Sequence, residues 1–397
     1  MSLAHGRHTL AIPGPSVMPD RVLRAMHRAA PNIYEGELVE MMPGLVADLK
    51  AVAKTDGNVA IYIANGHGAW EAALANTHNR GDRVLVLATG RFAHGWAEMA
   101  ERMGISCDIV DFGRSADIDL TRAADALAAD TDHGYKSVLV THVDTSTSVK
   151  NDIAAVRAML DASGHPALFM VDCIASLGCD RFEMDAWGVD VMVAACQKGL
   201  MTPPGVAFVY FNAKGDAARD KADCVSAYWD WRPRSQPGDF YQYFGGTAPT
   251  HHLYGLREAL DMIAEEGLEP IFNRHEILAR AVWAAFDAWG VDGPMRLNVS
   301  EPAKRSCAVT TVSLGGSLGT DLRRWVTDNA GLTLGIGLGM SEMGTSSDGY
   351  FRVAHMGHVN SHMILGTLGA IEAGLCALGI PHGQGGLVAA AQTCANA

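Results

Sequence analysis

The stretch ALFMVD (167–172), with DVMVAACQKG (190–199) shortly after it, decides the fold. Each run is apolar on successive residues, where a half-buried strand would alternate. Both faces are therefore covered, as in the interior of a mostly parallel sheet. VLVLA (84–88), SVLVTHV (137–143) and GVAFVYF (205–211) read the same way. Between these strands, GAWEAALANTH (68–78), FAHGWAEMAERMG (92–104), DLTRAADALAA (119–129) and DIAAVRAMLDASG (152–164) carry apolar residues at three- and four-residue spacing, the mark of crossover helices. The alternation, from about Asp56 to Asn212, predicts a layered α/β domain.

Outward from this core the pattern changes. A loop rich in Trp, Pro and Arg (229–246) precedes two helical stretches, THHLYGLREALDMIAEEG (250–267) and PIFNRHEILARAVWAAFDAWG (270–290). From about Asn298, AVTTVSL (308–314), a helix near 321–329, LTLGIG (332–337), YFRVAHMG (350–357) and a helix near 363–378 predict a smaller α+β domain. The expected division is an N-terminal arm (1–20), a large domain (21–266) and a small C-terminal domain (267–397). The Ala-rich tail after Gly386 is expected to be a short irregular end.

A length of 397 residues suits such a pair of domains, and 48% apolar with 19% charged residues suits a packed enzyme. The net charge of −13 carries no basic block, which argues against nucleic acid and anionic membranes and leaves small molecules as partners. MSLAHGRHTLAIPGPS (1–16) lacks a secretory pattern, and no apolar run is long enough to span a bilayer, so a cytoplasmic protein is expected. The eight cysteines form no CxxC pair and predict neither a metal site nor disulfides. Cys173 and Cys196 lie in strand-like runs and read as small core residues.

Three features fall where a doubly wound sheet places its ligand, beyond the carboxyl ends of the strands. Asn65-Gly66-His67-Gly68 is a small-residue turn opening a helix, whose free amides suit a phosphate. Asp172 ends a buried strand, where a carboxylate needs a cation or hydrogen bonds. Lys198 follows another buried strand, where desolvation favours the neutral, nucleophilic amine. Each alone has an ordinary structural reading as a turn, a cap or a solvated strand end. Together they are the parts of a pyridoxal phosphate site: an anion cradle, a carboxylate for the pyridine nitrogen and a lysine for the aldehyde.

The sequence also resembles the class V aminotransferases of fold-type I, in the branch of the alanine–glyoxylate and serine–glyoxylate enzymes. The resemblance runs nearly end to end, through AIPGPSVMP (11–19), NGHGAWEAALAN (65–76), VTHVDTSTSVKNDI (140–153), VDCIASLG (171–178), CQKGLMTPPG (196–205), LYGLREALDMIAEEGLE (253–269), LGIGLG (334–339) and FRVAHMGHVN (351–360). It implies pyridoxal 5'-phosphate joined to Lys198, with Asp172 on the ring nitrogen. Gly66, His67 and Gln197 are then phosphate or cofactor contacts, Phe92 the stacking aromatic, and Thr145 a contact near the ring hydroxyl. Arg352 is the implied clamp for the substrate carboxylate. A homodimer with shared active sites is implied too, Tyr243 and Thr247 of QYFGGTAP (242–249) reaching the neighbouring subunit's phosphate, with Phe244 as the alternative to Tyr243. Tyr34–Glu37 stands where relatives carry residues near the amino-acid side chain, and Trp229–Arg232 reads as pocket lining or interface packing.

The expected reaction is ping-pong transfer of an amino group from a small amino acid such as alanine or serine to glyoxylate or another 2-oxo acid. The alternative of the same fold is a lyase such as a cysteine desulfurase, for which Cys307 is the candidate thiol. A regulatory module fused to a DNA-binding domain is the third class. The chain's acidity and the lack of a preceding helix-turn-helix segment count against it.

Overall fold

The computed structural model describes residues 2–341 and 346–396. Twelve strands form two sheets among the described residues. Strand β1 (Thr9–Ala11) belongs to the smaller sheet. β2 (Asn58–Tyr62), β3 (Arg83–Ala88), β4 (Ser106–Asp111), β5 (Tyr135–Thr141), β6 (Leu168–Asp172), β7 (Val191–Ala195) and β8 (Ala207–Phe211) form the larger, in the order β2-β8-β7-β6-β5-β3-β4. Only β8 runs against the others. The five apolar runs read as strands are all present. β2 and β4 lie outside that reading: β4 is an edge strand whose SCDIVD is largely solvent-facing and offers no apolar run.

Successive residues of the central strands enter opposite layers, as the pleat requires. Val138, Val140, Phe169 and Val171 pack into one core, with helices Met42–Ala53, Ile153–Ser163 and Thr250–Glu266. Leu139, Leu168 and Met170 pack into the other, with Trp70 and Trp96 of helices Gly66–Thr77 and Arg91–Arg102. From β3 the chain moves outward to β4 and then crosses back to β5 on the other side of β3, so a topological switch lies between the carboxyl ends of β3 and β5.

The smaller sheet adds β9 (Arg296–Leu297), β10 (Val309–Ser313), β11 (Leu332–Ile336) and β12 (Tyr350–Ala354), in the order β1-β11-β12-β10-β9. Its N-terminal strand β1 pairs in parallel with β11, so the first residues are built into this sheet. Helix Leu268–Trp289 joins the two bodies, Ile271 entering the large core and Leu278 to Trp289 the small one.

Two expectations need correction. The tail is not irregular: Gly386–Ala395 is a helix, with Leu387, Ala390 and Cys394 packed on the small core at helical spacing. Gly386 permits this approach, since a Cβ there would lie 2.2 Å from the Trp289 indole nitrogen. The Trp-rich loop contains a short helix, Trp231–Ser235, and a 3-10 turn, Phe240–Phe244. Buried Arg234 organises both, donating to the carbonyls of Ile61 and Tyr243 at 2.8 and 3.3 Å and to that of Tyr228 at 2.6 Å.

Candidate active site

The carboxyl ends of the central strands converge on a cavity of about 230 Å³. Gly66, His67, Phe92, Thr145, Asp172, Gln197 and Lys198 all line it, so the structure gathers these sequence-selected residues in one place.

Asp172 is the last residue of β6 and is 4% exposed. Its Oδ2 accepts the Trp70 indole N–H at 2.9 Å and its Oδ1 the Ile174 amide at 2.7 Å. Both donors are neutral, and burial outweighs them, pushing the carboxyl up to about 7. Such a group gains most from a cationic N–H donor.

Lys198 is buried and donates from Nζ to the Pro13 carbonyl. Burial lowers its pKa to about 8, helped by the charge of Arg352 and opposed by that of Asp172. Its backbone is pinned by the N-terminal segment. Ser16 donates from Oγ to the Lys198 carbonyl at 2.7 Å and from its amide to the Gln197 carbonyl at 2.9 Å. Gly14, at φ +100°, lies so close that a Cβ would sit 2.4 Å from Lys198 Cε. Pro13, Gly14 and Ser16 thus form a wall absent from the sequence-derived site, and the Gly-Pro pair in IPGPS was its only local signal.

Phe92 is the second residue of the helix after β3. Asp144 holds the start of that helix, accepting the Phe92 and Ala93 amides on Oδ2 at 2.8 and 3.4 Å. Its Oδ1 takes the Ser146 amide at 2.9 Å, so one carboxylate ties the ring of Phe92 to the loop carrying Thr145. Arg352, on β12 and 5% exposed, donates from Nη1 to the Thr145 carbonyl at 2.8 Å and from Nε to the Ile336 carbonyl at 2.7 Å. Burial lowers its pKa to about 10, which leaves it charged at neutral pH. Among the described residues its Nη2 has no hydrogen-bond partner.

At the opposite end, Asn65 caps helix Gly66–Thr77, its Oδ1 accepting the amides of His67 and Gly68 at 3.1 and 3.3 Å. Gly66 packs against Ile174, a Cβ there falling 2.4 Å from Ile174 Cδ1, so a side chain at this position would have to push that methyl group aside. Gln197 Oε1 is buried and, among the described residues, has no hydrogen-bond partner.

Arg352, Tyr243 and Thr247 do not line this cavity. Thr247 is exposed and Tyr243 half-buried, whereas Phe244 is sealed in the large core, so of these two aromatic residues Tyr243 is the one with access to the outside. The neighbouring glycines have a conformational reason: Gly245 has φ +63° and Gly246 φ +151°. Tyr34–Glu37 is an exposed loop away from the cavity, with Glu37 paired to Arg28. Trp229–Arg232 does not line it either and is a packing element instead. Trp231 stacks on Phe211 with centroids 4.1 Å apart, Asp230 pairs with Arg219, and Arg232 with Asp216 and Asp220.

No cysteine lines the cavity, and Cys307 is buried with its thiol pKa pushed far up by desolvation, so the desulfurase alternative has no thiol in place. All eight cysteines are free thiols. Among the described residues no helix is long and apolar enough to cross a membrane.

These residues fit pyridoxal 5'-phosphate. A buried carboxylate supplied only with neutral donors matches a protonated ring nitrogen, and a largely desolvated amine matches an aldehyde. The unpartnered Gln197 oxygen and the helix start at Asn65 provide polar groups for the remainder.

Comparison with known proteins agrees. Residues 21–343 match the family model described as aminotransferase class-V. The chain is 34% identical to the serine–glyoxylate aminotransferase of Methylorubrum extorquens, over 98% of this chain and 96% of the relative. It is also 34% identical to the L-aspartate–glyoxylate aminotransferase of Paracoccus denitrificans, over 97% and 96%. The crystal structure of pyridoxamine–pyruvate aminotransferase from Mesorhizobium loti superposes with a TM-score of 0.88 at 24% identity, covering 99% of both chains, and shares the fold. The chain belongs to the class-V aminotransferases, and is a pyridoxal phosphate-dependent transaminase of fold-type I.

Proposed function

We propose that this transaminase takes the amino group of a small amino acid, such as serine or alanine, and delivers it to glyoxylate or a similar 2-oxo acid. The observation that carries the reading is the buried pair of Lys198 and Asp172 at adjacent strand ends, with Arg352 close enough to bias the lysine's protonation. The names of the relatives supply the acceptor.

When bound, the cofactor supplies an aldehyde that carries the amino group and a ring that takes up electrons. Lys198 Nζ would hold that aldehyde and Asp172 the ring nitrogen's proton. Phe92 would cover the ring face and Thr145 neighbour its hydroxyl. Gly66, His67, Asn65 and Gln197 would hold the phosphate. The His67 and Gly68 amides already donate to Asn65 Oδ1, so they are not the free donors for a phosphate that the sequence suggested. Lys198 Nζ, uncharged in part at neutral pH, takes the α-proton of the donor. Arg352 grips the α-carboxylate, the group common to amino acid and keto acid, which lets one pocket serve both halves of the cycle.

The same reading includes a cytoplasmic homodimer in which Tyr243 and Thr247 complete the neighbouring subunit's phosphate site. It also includes a division into an arm (1–20), a large domain (21–266) and a small domain (267–397). Two observations support the division: the separate cores, and the break at Gly267, φ +85°, between the long helices. The test is a matrix of amino donors against glyoxylate and pyruvate, with products identified by mass. Transfer to glyoxylate from a small amino acid is expected. Release of ammonia or sulfide without a new amino acid would overturn the reading.

A further inference from the structure

Trp70, the fifth residue of helix Gly66–Thr77, is fully buried, and its contacts reach three residues of the Lys198 cavity. Its indole N–H donates to Asp172 Oδ2 at 2.9 Å. Its ring meets that of His67 edge-on, with centroids 4.7 Å apart, and that of Phe92 edge-on at 6.3 Å. Trp96, from helix Arg91–Arg102, stacks on it at 6.1 Å with the planes 14° apart. The indole is thus fixed by three other rings. Among the described residues the buried Trp96 indole N–H has no hydrogen-bond partner, so packing in this stack does not in itself supply one.

The Asp172 carboxylate is held at both oxygens. Oδ1 takes the Ile174 amide at 2.7 Å and Oδ2 the Trp70 indole. Rotation about the Cβ–Cγ bond would break both hydrogen bonds. Each oxygen accepts roughly two donors, so each keeps a position open for another. The Ile174 donor is main chain, two residues further on. Among the described residues Trp70 is the one side chain that donates to Asp172.

We propose that Trp70 is a positioning residue for the transamination, its indole N–H holding the Asp172 carboxylate in the orientation that meets the cofactor's ring nitrogen. This rests on the role given to Asp172 in the transaminase reading and adds the side chain through which Asp172 is held. The indole N–H also favours the charged carboxylate against the burial that opposes it. Without that donor Asp172 is both freer to turn and more basic. A more basic carboxylate draws the proton away from the ring nitrogen, and the ring's capacity to take up electrons falls with it.

The test compares wild type with Trp70→Phe and with Trp70→3-benzothienylalanine, in which sulfur replaces the N–H within a ring of nearly the same shape. Each is made alone and together with Asp172→Ala. In the cofactor-free chain the carbon-13 resonance of the Asp172 carboxyl should titrate roughly one pH unit higher in both variants, the size of one hydrogen bond to a charged group. In the holoenzyme the nitrogen-15 resonance of the ring should move toward its unprotonated position, and kcat should fall about tenfold with KM changed less than about threefold. Both variants should weaken cofactor binding, and neither should weaken it further once Asp172 is Ala. An unchanged carboxyl titration in the isosteric variant overturns the proposal. So does the same loss of cofactor affinity with and without Asp172, because a residue that merely packs acts independently of that carboxylate. If Trp70→Phe does not fold, the isosteric variant decides alone. Cofactor affinity unchanged by Asp172→Ala would instead overturn the role given to Asp172.

Discussion

Lys198 and Asp172 are both ionisable and both buried, and the pKa of each is displaced toward its neutral form. Lys198→Ala removes the group proposed to hold the cofactor and move the proton. Turnover should fall at least about a hundredfold, the size of a lost general base, and reduction with borohydride should no longer fix the cofactor to the chain. An unchanged rate would remove Lys198 from its role. Asp172 yields a pH prediction. Its folded-state pKa of about 7 lies above the ordinary 3.8, so its protonated form adds stability that is full below about pH 4 and is lost as pH rises through 7. Cofactor-free Asp172→Asn should therefore gain thermal stability relative to wild type as pH rises from 4 to 8, while its affinity for the cofactor falls. Melting curves across that range check it, and a wild-type advantage growing with pH would contradict it. Both residues were legible because each ends an apolar run. Trp70, Asp144 and Ser16 were not: their roles depend on partners far along the chain, Trp70 lying 102 residues from Asp172 and Ser16 lying 182 from Lys198.

At the scale of elements, apolar periodicity revealed the central strands and the crossover helices, because burial on both faces leaves a continuous trace. It missed β4, which is largely exposed, and the final helix, whose short apolar stripe of alanine and cysteine looks like a weak tail. The segment from Tyr228 to Gly246 was illegible for another reason. It is organised by one buried arginine, whose guanidinium lies 4.4 Å from the Tyr62 ring centroid and 4.7 Å from that of Tyr228. Arg234→Ala would strand the carbonyls of Ile61, Tyr228 and Tyr243. Its expected cost is about 3 kcal/mol or more, given roughly 1–3 kcal/mol for each buried group left unpaired. Urea unfolding measures this, and a loss under about 1 kcal/mol would show that water takes over those partners. The N-terminal wall offers a second check. Gly14→Ala must displace Lys198 or the strand itself, and should weaken cofactor retention on gel filtration more than it lowers the melting temperature.

At the scale of the whole molecule, the sequence indicated two bodies from the change of pattern near Asn298. It gave no sign that β1, from the first dozen residues, completes the second sheet, since a three-residue parallel pairing with β11 leaves no periodic trace. That strand leads directly into Pro13, Gly14 and Ser16, so the small sheet and the active-site lysine share one segment of chain. The proposed dimer can be tested by complementation. Lys198→Ala and Thr247→Arg homodimers should each be inactive, yet random subunit exchange should restore about a quarter of wild-type activity through hybrids with one intact site. Activity from a sedimenting monomer would contradict shared sites. The central claim, that the amino group passes from amino acid to 2-oxo acid through the Lys198 site, is tested most directly with nitrogen-15. Enzyme supplied with ¹⁵N-labelled donor and glyoxylate should yield ¹⁵N-glycine and the donor's keto acid in equal amounts, and Lys198→Ala should yield almost none. Labelled ammonia in place of glycine, or glycine formed equally fast by the variant, would contradict it.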